Sequence, residues 1–331
     1  LAKAILVLLT ALIVMGGGCV TRNSRQIMLR SNLQITASSP KVLAAYMPWF
    51  GDHKHIDVGY SSHDPQVLSR QIDEAREMGI SGFVVDWNGE RRPYTDKSFA
   101  LLEQVAYEKK FQVALLYNEA EEDSDEATAD AIAAMDKAYH AYIGPEARFG
   151  DAYLTYRGRP VVFIFPKRGR TDWNRVRRHV SDWVSPPLLI YKDQAPGQFS
   201  DAFDGYYAWV HPGKGGWAAD GSNWGEEYLE SFYKRMKEKE PGKIVVGGAW
   251  PSFDDSRASW GLNRRISARC GKTLQDTLSL WRNYFSDANA LPFLMIDTWN
   301  DYEEGSAIER REFSRCSGDE KRNHLAGGGR K

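Results

Sequence analysis

From residue 41 the chain alternates short apolar runs with amphipathic segments. Eight runs read as strands: 42–47, 80–86, 112–118, 160–165, 187–191, 204–209, 243–249 and 292–298. Most are nearly continuous in apolar character, the pattern of strands buried on both faces in a parallel sheet. Between them helical periodicity is clearest over 65–78, 97–109, 125–142, 172–183, 224–239 and 273–286. Strand–helix alternation with eight strands predicts an α/β fold, a (β/α)8 TIM barrel, which typically takes about 250 residues. An open doubly wound sheet is the alternative. It normally carries a Gly-rich turn after its first strand, and here that strand runs into Pro48-Trp49-Phe50-Gly51 with neither a GxGxxG nor a GxxxxGK[ST] pattern.

The two ends read differently from the middle. Lys3 precedes a short apolar run from Ala4 to Met15, then Gly16-Gly17-Gly18-Cys19. A charge, an apolar run and small residues form a secretory signal, and the run is shorter than the ~20 residues that span a bilayer. Cys19 resembles a bacterial lipoprotein cleavage site, with Gly16 where Leu is usual; a plain signal peptide cut nearby is the alternative. Either reading predicts export, to the periplasm or outer membrane as a lipoprotein anchored through Cys19, or as a secreted protein. Residues 20–40 read as a polar linker, 41–313 as the barrel and 314–331 as a polar, Gly-rich tail. Cys270 and Cys316 could pair in an oxidising compartment or stand as separate thiols. No Cys/His spacing suggests zinc.

Composition narrows the class. The 331 residues are 42% hydrophobic and 26% charged, which is globular rather than disordered. Lys and Arg total 43 against 44 Asp and Glu, a net charge of −1 that leaves no excess to hold a nucleic acid. The 11 Trp and 16 Tyr suggest surfaces that stack on flat or sugar-like faces.

In a barrel, chemistry projects from the C-terminal ends of the strands. Those ends carry Tyr46, Trp49 and Asp52; Asp86, Trp87 and Asn88; Tyr117, Asn118 and Glu119; Tyr191, Lys192 and Asp193; Trp209 and His211; Trp250, Asp254 and Asp255; and finally Trp299 through Glu304. Carbohydrate sites need both residue types, rings to cover the apolar faces of pyranoses and carboxylates to bind hydroxyls or move protons. Glycosidic cleavage requires two carboxyl groups flanking the bond. In Asp301-Tyr302-Glu303-Glu304 three acids fall within four residues, and mutual repulsion should raise at least one pKa, as a general acid needs. The expected substrate contacts are Tyr46, Trp49, Asp86, Trp87, Asn118, Glu119, Tyr191, Trp209, His211, Trp250, Asp254, Trp299 and Asn300.

Other features read more plainly. The acidic run from Glu119 to Glu126 precedes a helix, where Ser124 can cap and acids suit the positive end of the dipole. Asp52-His53-Lys54-His55-Ile56-Asp57 reads as a flexible polar loop rather than a metal site, and Gly213-Lys214-Gly215-Gly216-Trp217 as a substrate-side loop. Asp254 and Asp255 are divided between sugar binding and capping the segment that follows.

The strand-8 segment resembles the motif shared by glycoside hydrolase families 99 and 71: an asparagine, an acid, an aromatic, a spacer and Glu, filled here by Asn300, Asp301, Tyr302, Glu303 and Glu304. Tyr46-Met47-Pro48-Trp49-Phe50, the stretch from Asp64 to Trp87, and Trp250-Pro251-Ser252-Phe253-Asp254-Asp255 are similar to the same group, so the resemblance spans most of 42–309. It implies a barrel hydrolysing α-linked glycans, such as α-mannan or α-glucan, without metal or cofactor. Glu304 would be the general acid, and Asp301 the base on water or on a sugar hydroxyl. The chain carries Asp301 where family 99 usually has Glu, a hybrid of the two patterns. An extended i,i+3 pair lies about 10 Å apart at ~3.3 Å per residue, whereas a helical turn brings Cβ atoms to ~5–6 Å; the two bracket inverting and retaining chemistry. The expected partner is an oligo- or polysaccharide, met by a monomer. A non-catalytic carbohydrate-binding lipoprotein and a polysaccharide-assembly protein are the competing readings.

Overall fold

The computed structural model describes residues 39–120, 123–212 and 223–309. The predicted signal and linker through residue 38, Cys19, the Gly213–Trp217 loop, Cys316 and the tail lie outside them. Eight parallel strands form the barrel: β1 Lys41–Tyr46, β2 Gly82–Trp87, β3 Gln112–Asn118, β4 Arg159–Phe165, β5 Leu188–Lys192, β6 Gly205–Tyr207, β7 Ile244–Ala249 and β8 Phe293–Ile296. Around the ring they run β1-β2-β3-β4-β5-β6-β7-β8, and β8 pairs with β1, so no edge remains. Closure is what lets strands this apolar stay soluble, because every ladder is satisfied internally. Where β6 and β7 cross, Gly205 is required: a Cβ there would collide with the Ile244 carbonyl.

Among the described residues six α-helices cover the outside: α1 Pro65–Glu77, α2 Pro93–Lys109, α3 Ser124–Ala138, α4 Trp173–Val180, α5 Glu226–Lys239 and α6 Lys272–Leu280. Most strands differ from expectation by a residue or two; β6 and β8 stop two residues short of their apolar runs. Helix α2 starts four residues earlier than its periodicity suggests, because Pro93 is pre-set for the first helical position. Helix α3 is capped by Asp123 rather than Ser124: the Asp123 carboxylate accepts from the N–H groups of Asp125 and Glu126, and Ser124 is already helical. Among the described residues no helix is long and apolar enough to cross a membrane.

Candidate active site

The chain after β8 curls into a compact turn. The Asp301 N–H donates to Thr298 Oγ1 at 2.8 Å, and the Asp301 carbonyl accepts from Ser306 and Ala307, each at 3.1 Å. The Glu304 N–H donates to Asp301 Oδ1 at 2.8 Å. This is the folded alternative for an i,i+3 pair, not the extended one. Gly305 closes the turn at φ +60°, a left-handed conformation that a side chain would strain, and a Cβ would press on the Asp254 backbone at 3.2 Å. From the β7 loop the Asp254 N–H donates to the Glu304 carbonyl at 2.7 Å and anchors the turn.

Below the turn lies a buried brace. Asn300 Oδ1 accepts from the Met47 N–H at 2.7 Å and its amide donates back to the Met47 carbonyl at 2.9 Å, stitching the β8 turn to the end of β1. Glu309 accepts from the Tyr60 and Tyr302 hydroxyls and from Gln71, which in turn accepts from Tyr46. These linked bonds among Asn300, Glu309, Gln71 and the three tyrosines fix the turn from beneath.

Asp301 and Glu304 both open onto a pocket of about 230 Å³ at the C-terminal mouth of the barrel. Burial raises the Asp301 carboxyl well above the ordinary range, the Glu304 charge adds to this, and N–H bonds from Glu304 and Glu303 work against it. Burial also raises Glu304, opposed mainly by a hydrogen bond from Trp260. That bond, Trp260 Nε1–H to Glu304 Oε1, is 2.8 Å long. The loop carrying Trp260 is folded by buried Asp255, whose carboxylate accepts from the Leu262 and Arg264 N–H groups and from Arg264 Nε.

Aromatic groups wall the pocket. Trp49 stacks on His55 with centroids 4.7 Å apart and meets Trp260 edge-on at 6.3 Å. Trp209 and Phe165 stand edge to face at 5.4 Å. His55 Nδ1 lies 2.8 Å from Glu303 Oε2, both side chains nearly enclosed. The polar wall is Asp86, Asn88, Asn118 and Glu119, and the basic one Arg91, Arg92 and Lys167.

Seven of the sequence-predicted residues therefore meet in one pocket: Trp49, Asp86, Asn118, Glu119, Trp209, Asp301 and Glu304. Eight do not line it. Tyr46, Trp87, Trp250, Trp299 and Asn300 are fully buried, and Tyr191 nearly so. Tyr46 is committed to Gln71, Trp87 Nε1 to Asp96, Trp250 Nε1 to the Trp224 carbonyl and Asn300 to Met47; Tyr191 packs on Phe203. For these six the expected sugar contact is replaced by a packing role. His211 is exposed and stacks on Tyr228, and Asp254 pairs with Arg265. Asp255 is likewise a loop clamp, which resolves that residue toward structure.

Sequence reasoning missed five contributors. His55 sits in a segment read as a flexible loop, yet it is packed between Trp49 and Glu303. Trp260 was passed over although a Trp in a polar loop is itself a signal. Lys167 lies two residues past β4, a strand end from which no site residue was expected, and Arg91 and Arg92 lie four and five residues past β2. Among the described residues no group of three His, Cys, Asp or Glu is arranged to hold a metal ion. Cys270 is disulfide-bonded, and the other two cysteines lie outside the described residues.

A (β/α)8 barrel with its acids and aromatics gathered at the strand C-termini is the class of protein this architecture defines. Among solved structures the chain is similar to the GH99 endo-α-mannosidase of Bacteroides thetaiotaomicron, with 18% identity, a TM-score of 0.60, and coverage of 81% of this chain and 86% of that one. It is also similar to a protein described as glycoside hydrolase-like, with 14% identity, a TM-score of 0.58, and coverage of 82% and 87%. The fold is thus a GH99-like barrel; at such identity the likeness is one of fold, and fold does not fix chemistry. No protein-family model and no curated protein matches the sequence.

Proposed function

We propose that the protein is a glycoside hydrolase acting on α-linked glycans, with Glu304 as general acid and Asp301 as its basic partner. The observation that carries this reading is the turn that sets two carboxyl groups with raised proton affinity on one pocket, one donating its backbone N–H to the other. Two like charges this close do not both ionise readily, so the pair favours a singly protonated form. Asp301 receives two backbone N–H bonds that favour its charged form, and Glu304 receives one indole N–H. In this reading Glu304 delivers a proton to the glycosidic oxygen, while Asp301 accepts one from water or a sugar hydroxyl. Trp49, Trp209 and Trp260 offer rings for the apolar faces of pyranoses on either side of the bond.

The test is release of reducing ends from α-mannan and α-1,3-glucan. Asp301→Asn and Glu304→Gln should each lower it at least about 100-fold, the lower range for losing a positioned acid or base, with circular dichroism unchanged. Full activity in both variants overturns the assignment. Glycan binding in calorimetry with no reducing ends from the unaltered protein would favour a carbohydrate-binding barrel instead.

A further inference from the structure

The pocket has a second chemical face that hydrolysis does not use. Asp301 and Glu304 follow β8; Arg92 follows β2 and Lys167 follows β4, two and four strands further round the ring. At about 4.8 Å between neighbouring strands, these cations stand on the far side of the pocket from the acids, roughly one or two sugar residues away.

Lys167 is not a loose surface lysine. Buried Glu119 accepts from the backbone N–H groups of Lys167 at 3.0 Å, Gly169 at 2.8 Å and Thr171 at 3.3 Å, which folds the loop after β4 around one carboxylate. The Lys167 ammonium then lies over the Phe165 ring, 5.4 Å from its centroid. Glu119 thereby spends its charge on main-chain donors. Arg91 is likewise committed, to Asp130 and to the Asn118 carbonyl. Among the described residues neither Arg92 nor Lys167 makes an ion pair. The one acid between them is Asp86, which is held by the Asn118 amide and which burial inclines toward its neutral form. Two cations thus face one reluctant anion in a pocket wall that the catalytic pair leaves free.

We propose that Arg92 and Lys167 form a subsite for an anionic substituent, so that the glycan this pocket takes carries a carboxylate or a sulfate ester one or two sugars from the scissile bond. This rests on the hydrolase reading for the word substrate, though the anion subsite itself does not need it. A guanidinium and an ammonium on separate loops suit a tetrahedral or planar oxyanion approached from two sides. A neutral sugar offers these cations only hydroxyl acceptors, whereas an anionic substituent adds charge to the same hydrogen bonds.

The test uses three matched probes, methyl α-glucopyranoside, its 6-carboxylate and its 6-sulfate, titrated by NMR into the unaltered protein, Arg92→Gln, Lys167→Gln and the double variant. At low salt the expected result is binding of at least one anionic probe about 10-fold tighter than the neutral one. The carboxylate and sulfate arms show which anion is meant. The preference should fall several-fold in each single variant, vanish in the double variant, return with Arg92→Lys, and weaken as salt rises. Equal binding of all three probes, absence of binding by any, or a preference that survives the double variant overturns the proposal. Reducing-end release measured on the same preparations keeps the two ideas apart. An intact anion preference with no release would sink the hydrolase reading and support the subsite; release without any preference would do the reverse.

Discussion

Replacing Trp260 by Phe keeps a ring at the pocket rim and removes only the indole N–H that reaches Glu304 Oε1 at 2.8 Å. A hydrogen bond to a charged acceptor contributes about 1.5–3 kcal/mol where water is excluded. Trp260 is 44% exposed, so water replaces part of that loss, and about 1 kcal/mol is the reasonable share. Losing that share raises the Glu304 pKa further. The sign follows from the donor: an N–H stabilises the ionised carboxylate, so its removal favours the protonated form. A general acid works while protonated, and the limb of the pH profile that reports its deprotonation should move to higher pH. The assay is kcat/KM for reducing-end release against pH, which reads the free enzyme. A deprotonation limb that stays in place, or moves to lower pH, refutes the coupling of Trp260 to the acid.

Two further outcomes concern the frame around the site. Glu103, on α2, is 2% exposed, its Oε1 has no partner, and burial raises its pKa from 4.5 to about 8. The folded state then keeps a proton that the unfolded chain releases above pH 4.5, so stability is fullest below that pH and is lost as pH rises through about 8. The shift sets a ceiling of about 5 kcal/mol, and relaxation with water entry reduces it to about 2–3 kcal/mol. Urea unfolding should show Glu103→Gln matching the unaltered protein at pH 4.5 and exceeding it at pH 8.5; parallel curves would contradict the burial argument. Asn300→Ala removes both bonds to the Met47 backbone, and leaving that buried N–H and carbonyl unpaired should cost about 2–5 kcal/mol in the same assay; a loss under about 0.5 kcal/mol would show that the clip does not hold the turn.

What could be read from the chain alone, and what could not, divides along the range of the contacts involved. The barrel was legible because burial on both faces writes itself into each strand locally, as an unbroken apolar run. The meeting of Asp301 and Glu304 on one turn was legible because the two acids lie three residues apart. His55 was not, because what turns a polar loop inward is Glu303, 248 residues away. Trp260 depends on Asp255 closing its loop through Leu262 and Arg264. Lys167 depends on Glu119, 48 residues before it. Each is positioned by one buried carboxylate whose partners no local pattern announces.

The residues predicted to touch sugar that instead pack in the core have a common cause. Successive side chains on a strand point to opposite faces, so at a strand end one of two neighbours opens on the barrel mouth and the other turns toward the helices. Asp86 lines the pocket while Trp87, next in line, bonds to Asp96 on α2. Met47 lines it while Tyr46 bonds to Gln71 on α1. In the turn beyond β8, Asp301 opens on the pocket while Asn300 stitches the turn to Met47. At the ends of β1 and β2 one neighbour serves the pocket and the other the wall that holds it, whereas Asn118 and Glu119 after β3 both face the pocket. For Asp86–Trp87 the carboxylate faces the ligand and the indole the helix layer, so exchanging the two would place a charge against α2 and unmake the wall before it altered the site.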